Sequence, residues 1–336
     1  MSVTLQHVAD QAGVSASTVS RVLNQKGAAN RISEATMTAV MDAARELGYA
    51  PNRLARGLRL QKTYTVGLIA PDVSNPFFAH IVHRAQNTAH ELGYSLVVCN
   101  SNDSTDLEVE QTDLLYQKQV DGLIAMPVGQ CYDHFEAWTD RGGALVLVDR
   151  CPEETDADTV SVDNYRGAYG ATTHLVDHGH RRIALVQGLP GTSTNSDRLR
   201  GYADALADRG VAADPQLVVG GDFRRERAFV ETKTLLTLDP APTAIFAAGD
   251  LITLGVLQAL AEEELRVPED VSLLSFDDFD FAPFLRCPLT AVRQPRETMG
   301  ETAVKLLADR IRNPSRAPRR VVLESELVVR RSVAIQ

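Results

Sequence analysis

The stretch Val3-Thr4-Leu5-Gln6-His7-Val8-Ala9-Asp10-Gln11-Ala12-Gly13-Val14-Ser15-Ala16-Ser17-Thr18-Val19-Ser20-Arg21-Val22-Leu23-Asn24 decides how the chain begins to fold. Thr4 is a helix-capping residue placed before Leu5, Val8 and Ala9, whose spacing puts them on one side of a helix ending near Ala12. Gly13 then permits a tight turn, because glycine takes positive φ without steric cost. Ser15 caps a second helix, Ala16 to Leu23, with Val19, Val22 and Leu23 on one side. A third helix opens at Ser33 and runs to about Leu47, ahead of Gly48, with Met37, Val40, Met41, Ala44 and Leu47 as its apolar stripe. Helix, glycine turn, helix and a third helix behind is the helix-turn-helix pattern, whose second helix enters the major groove of DNA. A plain three-helix bundle shares the pattern, so charge and motif must decide between them.

Charge separates along the chain. Residues 1–62 hold eight basic and four acidic side chains, a balance of +4, within a chain whose total is -10. The remainder therefore carries -14. A basic end on an acidic body is expected when one piece meets phosphate and the other is repelled by it. At 336 residues, two or three folding units are expected. No apolar run approaches the roughly 20 residues of a membrane span, and the first residues lack signal-peptide character, so the expectation is a cytoplasmic protein without a membrane partner. The cysteines Cys99, Cys131, Cys151 and Cys287 form no C-x-x-C pair, which speaks against a zinc module or disulfide framework.

From Thr65 onward, short β-branched runs alternate with amphipathic stretches. Runs 66–69, 96–98, 122–125, 145–148, 183–186, 244–247 and 271–274 read as buried parallel strands. Helical spacing fills residues 78–92, 198–209 and 251–264. The expected fold is α/β: an all-α headpiece followed by a doubly wound core with two parallel sheets. Ligands of such sheets bind beyond the carboxyl ends of the strands. The residues there include 72–78, Asp149-Arg150, Arg198, Gly249-Asp250 and Asp277-Asp278. Carboxylates and guanidinium groups grip paired hydroxyls and aromatic faces pack on C–H surfaces, so the set suits a polyhydroxyl ligand. Taken singly, each residue is equally a loop ion pair or a helix cap.

The opening stretch resembles, nearly residue by residue, the headpiece of the lactose/galactose repressor family. Ala16, Ser17 and Arg21 match positions that face base edges, and Thr4, Ser15 and Asn24 match phosphate-contacting positions. Arg21 carries most of the base discrimination on this reading, since Arg grips guanine with two hydrogen bonds while Ala and Ser offer little. Pro51-Asn52-Arg53-Leu54-Ala55-Arg56-Gly57-Leu58-Arg59 resembles the family's hinge helix, with Leu58 at the position that wedges into the minor groove. Thr18, Asn52, Arg53 and Ala55 complete the DNA-binding set that the resemblance implies.

Further on, Pro71-Asp72-Val73-Ser74-Asn75-Pro76-Phe77-Phe78, Val148-Asp149-Arg150, Ser161-Val162-Asp163-Asn164, Phe276-Asp277-Asp278 and Pro288-Leu289-Thr290-Ala291-Val292-Arg293-Gln294-Pro295 are similar to family motifs. The resemblance thus spans nearly the whole chain. It implies a core like a periplasmic sugar-binding protein, with two lobes joined by three crossovers and an effector between them. Its implied boundaries are a headpiece at 1–50, a hinge at 51–62 and a core at 63–336. Within the core, lobe one takes about 63–162 and 293–320, and lobe two about 163–292 and 321–336. The implied effector pocket contains Asn75, Phe77, Phe78, Asp149, Arg150, Arg198, Phe223, Asp277 and Gln294. Gly249 stands where the family usually has an Asn, which leaves room for a bulkier effector or a water. Met37 replaces a frequent arginine, with the loss of one phosphate contact.

Enzyme chemistry finds little support. His174, His178 and His180 lack a completing carboxylate or cysteine for a metal site. Neither a phosphate-binding G-x-x-x-x-G-K-[ST] loop nor a G-x-S-x-G elbow occurs. No cofactor is expected. The expectation is a homodimeric transcriptional regulator on a palindromic double-stranded DNA operator, released by a small effector. A sugar, sugar acid or polyol is the first choice of effector, and a nucleoside or purine, or corepression, the alternative.

Overall fold

The computed structural model describes residues 3–23, 32–49, 62–129 and 131–336. Asn24 and the hinge positions Asn52, Arg53, Ala55 and Leu58 lie outside the described residues. The chain divides into two compact units, Met1–Thr63 and Tyr64–Gln336.

In the first unit, α1 (Leu5–Ala12), α2 (Ala16–Leu23) and α3 (Glu34–Glu46) enclose a small core. Thr4 Oγ1 accepts the His7 N–H, and His7 Nδ1 accepts the Thr4 N–H, a reciprocal cap. Gly13 closes α1 at φ 64°, a left-handed conformation that favours glycine. Ser15 and Ser33 cap the other two helices through the N–H groups of Thr18 and Thr36. Val8, Ala9, Val19, Val22, Val40, Ala43 and Ala44 form the core. One detail of the expected α3 stripe changes: Met41 is exposed, and Ala43 takes its place inside. Met37 packs against this core, so its sulfur and methyl serve the interior. Losing the Thr4 cap costs about 1 kcal/mol. Thr4→Ala should accordingly speed amide exchange along α1 by roughly fivefold; unchanged exchange there would mean that the cap is idle.

The second unit carries two six-stranded sheets. The first contains β1 (Thr65–Ala70), β2 (Ser95–Asn100), β3 (Gly122–Ala125), β4 (Leu145–Val148), β5 (Asp158–Val162) and β11 (Arg320–Leu323), in the order β11-β5-β4-β3-β1-β2. The second contains β6 (Ile183–Gln187), β7 (Val218–Gly220), β8 (Ala244–Ala247), β9 (Ser272–Phe276), β10 (Thr290–Arg293) and β12 (Glu326–Val328), in the order β12-β10-β9-β8-β6-β7. The two orders correspond strand for strand, so each position in one lobe has a counterpart in the other. Every pairing is parallel except β10 with β12. Strands β3, β4 and β8 are buried at every residue, which explains their unbroken apolar runs.

Helices α4 (Pro76–Glu91), α5 (Thr105–Gln117), α6 (Asp133–Asp140) and α11 (Arg296–Arg312) cover the first sheet. Helices α7 (Asn164–Asp177), α8 (Ser193–Asp208), α9 (Arg225–Leu236) and α10 (Asp250–Glu262) belong to the second lobe. The chain passes between lobes after β5, after β10 and between β11 and β12. The expected lobe boundary at 320/321 is therefore corrected: β11 pairs with β5 through Leu323, so the crossover follows that residue. Asp158, fully buried, explains the order at this edge, because Arg310 Nε and Arg316 Nη1 and Nη2 converge on its carboxylate at 2.7–3.0 Å.

Candidate functional site

In the headpiece, Ser17 and Arg21 stand one helical turn apart on the exposed side of α2, opposite buried Val19 and Val22. Thr4 and Ser15 are also exposed, while Ala16 and Thr18 are half-buried. Ser15 Oγ lies 2.8 Å from Ser17 Oγ and 2.9 Å from Thr18 Oγ1. The first turn of α2 thus presents a row of small hydroxyls, with a long cation at its last turn. Such a face offers one long cation and several small hydroxyls.

In the second unit, the carboxyl ends of both sheets converge on one cleft. It is lined by all ten residues expected there, Asn75, Phe77, Phe78, Asp149, Arg150, Arg198, Phe223, Gly249, Asp277 and Gln294, together with Thr194, Asp250 and Leu251. Asn75 opens α4 and spends its Oδ1 on the Phe77 N–H at 2.8 Å. Asp149 follows β4 and Asp277 follows β9, counterpart positions in the two sheets. Both have positive φ, 71° and 90°, and each donates its N–H to the adjoining strand, to Val160 O and Val292 O, at 2.9 Å. Strain of this kind persists only where surroundings hold it, and it concentrates at working sites.

Polar order in the cleft is incomplete in an informative way. Arg198 Nε donates to Asn164 Oδ1 at 2.9 Å and its Nη1 to Ala248 O at 2.8 Å, with its guanidinium 3.7 Å from the centre of the Phe276 ring. Gln294 Nε2 donates to Asp277 Oδ1 at 2.6 Å, and Arg150 Nη1 to Val128 O at 2.9 Å. Yet Asp149 Oδ1, Gln294 Oε1 and Arg150 Nε are buried without hydrogen-bond partners. Burial raises the Asp149 pKa, with Arg150 and Arg198 opposing. Burial also lowers that of Arg198, which Asp277 and Asp149 hold up. Asp250 is pushed up to about 7, by burial first and by the nearby Asp277 charge second, against the pull of the Leu251 N–H.

Phe223 borders the space beside Gly249. A Cβ there would stand 3.4 Å from Phe223 Cδ1, and a Cβ on Gly188 would overlap the same ring. The guanidinium of Arg150 lies 4.8 Å from the centre of the same ring. The free interior that remains measures about 30 Å³. Thr194 and Leu251 had no sequence signal beyond lying close to strand ends. Asp250 had one, its place directly after Gly249. Among the described residues no group of three or more His, Cys, Asp or Glu could hold a metal ion, and no helix is long and apolar enough to cross a membrane.

A basic helix-turn-helix unit joined to a two-lobe α/β core with a polar interlobe cleft defines a class: DNA-binding regulators with an effector-binding core. Residues 4–52 match the model of bacterial regulatory proteins of the lacI family, and residues 172–333 that of the periplasmic binding protein-like domain. The HTH-type transcriptional repressor PurR of Photobacterium profundum is 32% identical over 331 residues, covering 98% of each chain. Its namesake in Yersinia pestis is 34% identical over 339 residues, covering 98% of this chain and 97% of its own. Among solved structures, the transcriptional regulator CelR–cellobiose complex is 35% identical with a TM-score of 0.75, covering 98% of this chain and 99% of that one. The Lac repressor dimer bound to operator and the anti-inducer ONPF has a TM-score of 0.88 at 28% identity, covering 99% of this chain and all of that one. The chain belongs to the lacI family and is a DNA-binding transcriptional repressor.

Proposed function

We propose that this repressor is cytoplasmic, binds a palindromic operator as a homodimer, performs no catalysis, and is released by a neutral polyhydroxyl effector, a sugar or polyol, held in the interlobe cleft. In this reading Arg21, Ser17 and Ala16 face bases, while Thr4, Ser15, Thr18 and Asn24 secure the backbone. Asn52, Arg53, Ala55 and Leu58 act in the minor groove. The operator-bound dimer of the similar Lac repressor supports the assembly.

The observation that carries the effector class is the set of three open acceptors in the cleft, Asp149 Oδ1, Asp250 Oδ2 and Gln294 Oε1, buried without hydrogen-bond partners. Buried acceptors left unmatched cost free energy, and hydroxyl donors of a ligand relieve it. A sugar acid would add a fourth carboxylate to a cleft that has only two guanidinium groups. The similar CelR–cellobiose complex agrees with this choice. A purine is the second reading, favoured by the relatives named PurR and by the aromatic side chains Phe77, Phe78 and Phe223 in the cleft lining.

A thermal-melt screen of neutral sugars, polyols, sugar acids, nucleosides and purine bases separates these readings. A ligand at 100 times its Kd stabilises the fold by about 2.7 kcal/mol. Hits confined to neutral polyhydroxyl compounds are expected. Hits confined to purines would replace the sugar assignment.

A further inference from the structure

A carboxylate stands one layer behind the cleft. Glu108, on α5, is fully buried, and its Oε2 accepts the Val128 N–H at 2.7 Å. Val128 is itself buried, three residues past the end of β3. Its carbonyl accepts from a side chain of the cleft, Arg150 Nη1, at 2.9 Å. The two polar backbone groups of one residue are thus divided between Glu108 and Arg150. Gly129 follows at φ 97°, and a Cβ there would stand 3.0 Å from Arg150 Cδ. The absent side chain lets the arginine run close beside this segment. Tyr132 adds a further hold, donating from its hydroxyl to the Arg150 carbonyl at 3.4 Å.

Elsewhere the Arg150 guanidinium is loosely held. Asp103 and Asp149 lie 3.9 Å from its Nη1 and Nε, beyond hydrogen-bond reach. Its Nε is an open donor in a cleft of open acceptors. A guanidinium is planar and rigid, so the anchoring of Nη1 sets where Nε points. Burying a carboxylate is costly, and a neutral oxygen would accept one N–H at smaller cost. What a carboxylate adds is a stronger hold on the N–H. His134 Nε2 lies 3.1 Å from Glu108 Oε1, out of line for a hydrogen bond, with its side chain 7% exposed and its ring packed on Phe135. Neither Glu108 nor His134 lines the cleft.

We propose that Glu108 is a positioning residue for effector recognition. By fixing Val128 it fixes the anchor of Arg150, and with it the direction in which Arg150 Nε is offered to an effector. His134 covers the second carboxylate oxygen and leaves Oε2 to Val128. The specificity of the cleft is therefore set in part by a side chain that no effector touches. This inference rests on the reading of the cleft as the effector site, while the relay from Glu108 to Arg150 can be tested without any effector.

The probe is the Arg150 Nε–H itself, observed by NMR in the full-length protein carrying isotopically labelled arginine and assigned by its loss in Arg150→Lys. Glu108→Met fills similar space but offers no oxygen. It should shift the Arg150 signal and speed its exchange with solvent by about fivefold, the factor that one hydrogen bond commands. Glu108→Gln keeps an oxygen for Val128 and should restore both. The Arg198 Nε–H, held by Asn164 in the other lobe, should be unmoved throughout. If Glu108→Met does not fold, Glu108→Asp keeps the carboxyl group, falls one methylene short of Val128 and should move the Arg150 signal likewise. An unmoved Arg150 signal in the folded variant overturns the proposal. Equal movement at Arg198 also overturns it, as the mark of a general loosening. A fruitless ligand screen beside a moved Arg150 signal overturns the effector reading alone.

Discussion

Arg198→Ala is expected to destabilise the core by about 3–5 kcal/mol and to abolish stabilisation by any ligand of the cleft. Arg198 is 4% exposed, so its charge exists in the interior only because partners surround it. Removing a buried ion partner leaves the others uncompensated, which is where a loss of that size originates. Four groups are left short at once. The Ala248 carbonyl and Asn164 Oδ1 lose their donor, and Asp149 and Asp277 lose a balancing cation. The position of the partners matters as much as their number. Asn164 begins α7 directly after the first crossover, and Ala248 follows β8, so one side chain ties the crossover to the second sheet. Urea unfolding reads the stability and the thermal melt reads the ligand response. Stability within 1 kcal/mol of the wild type would show that Arg198 is not the tie described.

That tie also shows where sequence reasoning reaches and where it stops. Both headpiece caps and the helix periods were legible, because they depend on neighbours within four residues. Strands β3, β4 and β8 were legible for another reason: full burial on both faces leaves an apolar run. By contrast β5 and β7 carry no such run. Asp158-Thr159-Val160-Ser161-Val162 is a buried strand whose carboxylate is matched by Arg310 and Arg316, some 150 residues later. Val218-Val219-Gly220 is a short edge with half-buried residues. The ten cleft residues were legible as strand-end residues and by family motif. The contact of Arg224 Nη2 with Asp103 Oδ2 at 3.4 Å was not, since it arises only where the loops after β2 and β7 face one another. At Gly249 the sequence shows a missing side chain, but not that Phe223 Cδ1 stands 3.4 Å from where a Cβ would be.

Strand-end symmetry gives the cleft its chemistry. Asp149 and Asp277 occupy counterpart positions, share positive φ and share the same backbone tie to the next strand. Each lobe therefore contributes one strained carboxylate to the same small space, and Arg150 and Arg198 stand between them. Moving the lobes apart would separate charges of opposite sign as well as relieve like-charge repulsion. The balance between these determines the cost of opening, so a ligand whose donors replace the arginines at the carboxylates shifts it. A ligand that bound both arrangements equally would shift nothing.

Asp250 offers the clearest view of that balance, because its proton is exchanged in the accessible pH range. Its folded pKa of about 7 stands above the 3.8 of an unperturbed carboxyl. Between these values the folded protein retains a proton that the unfolded chain releases. Stability from this group is thus complete below about pH 4 and is lost as pH rises through 7. The full loss is roughly 4 kcal/mol, since each pKa unit corresponds to 1.36 kcal/mol. Asp250→Asn carries no proton to lose and retains an oxygen for the Leu251 N–H, which Asp250 Oδ1 now accepts at 2.7 Å. The variant should match the wild type at pH 4 and exceed it by up to roughly 4 kcal/mol at pH 8, as read by urea unfolding at each pH. A gap that is constant with pH, or that closes as pH rises, would mean that Asp250 ionises normally. An effector that gives a hydroxyl to Asp250 favours its carboxylate, so binding to the wild type should release a proton. Effector affinity should therefore strengthen as pH rises through 7, and in Asp250→Asn that dependence should disappear.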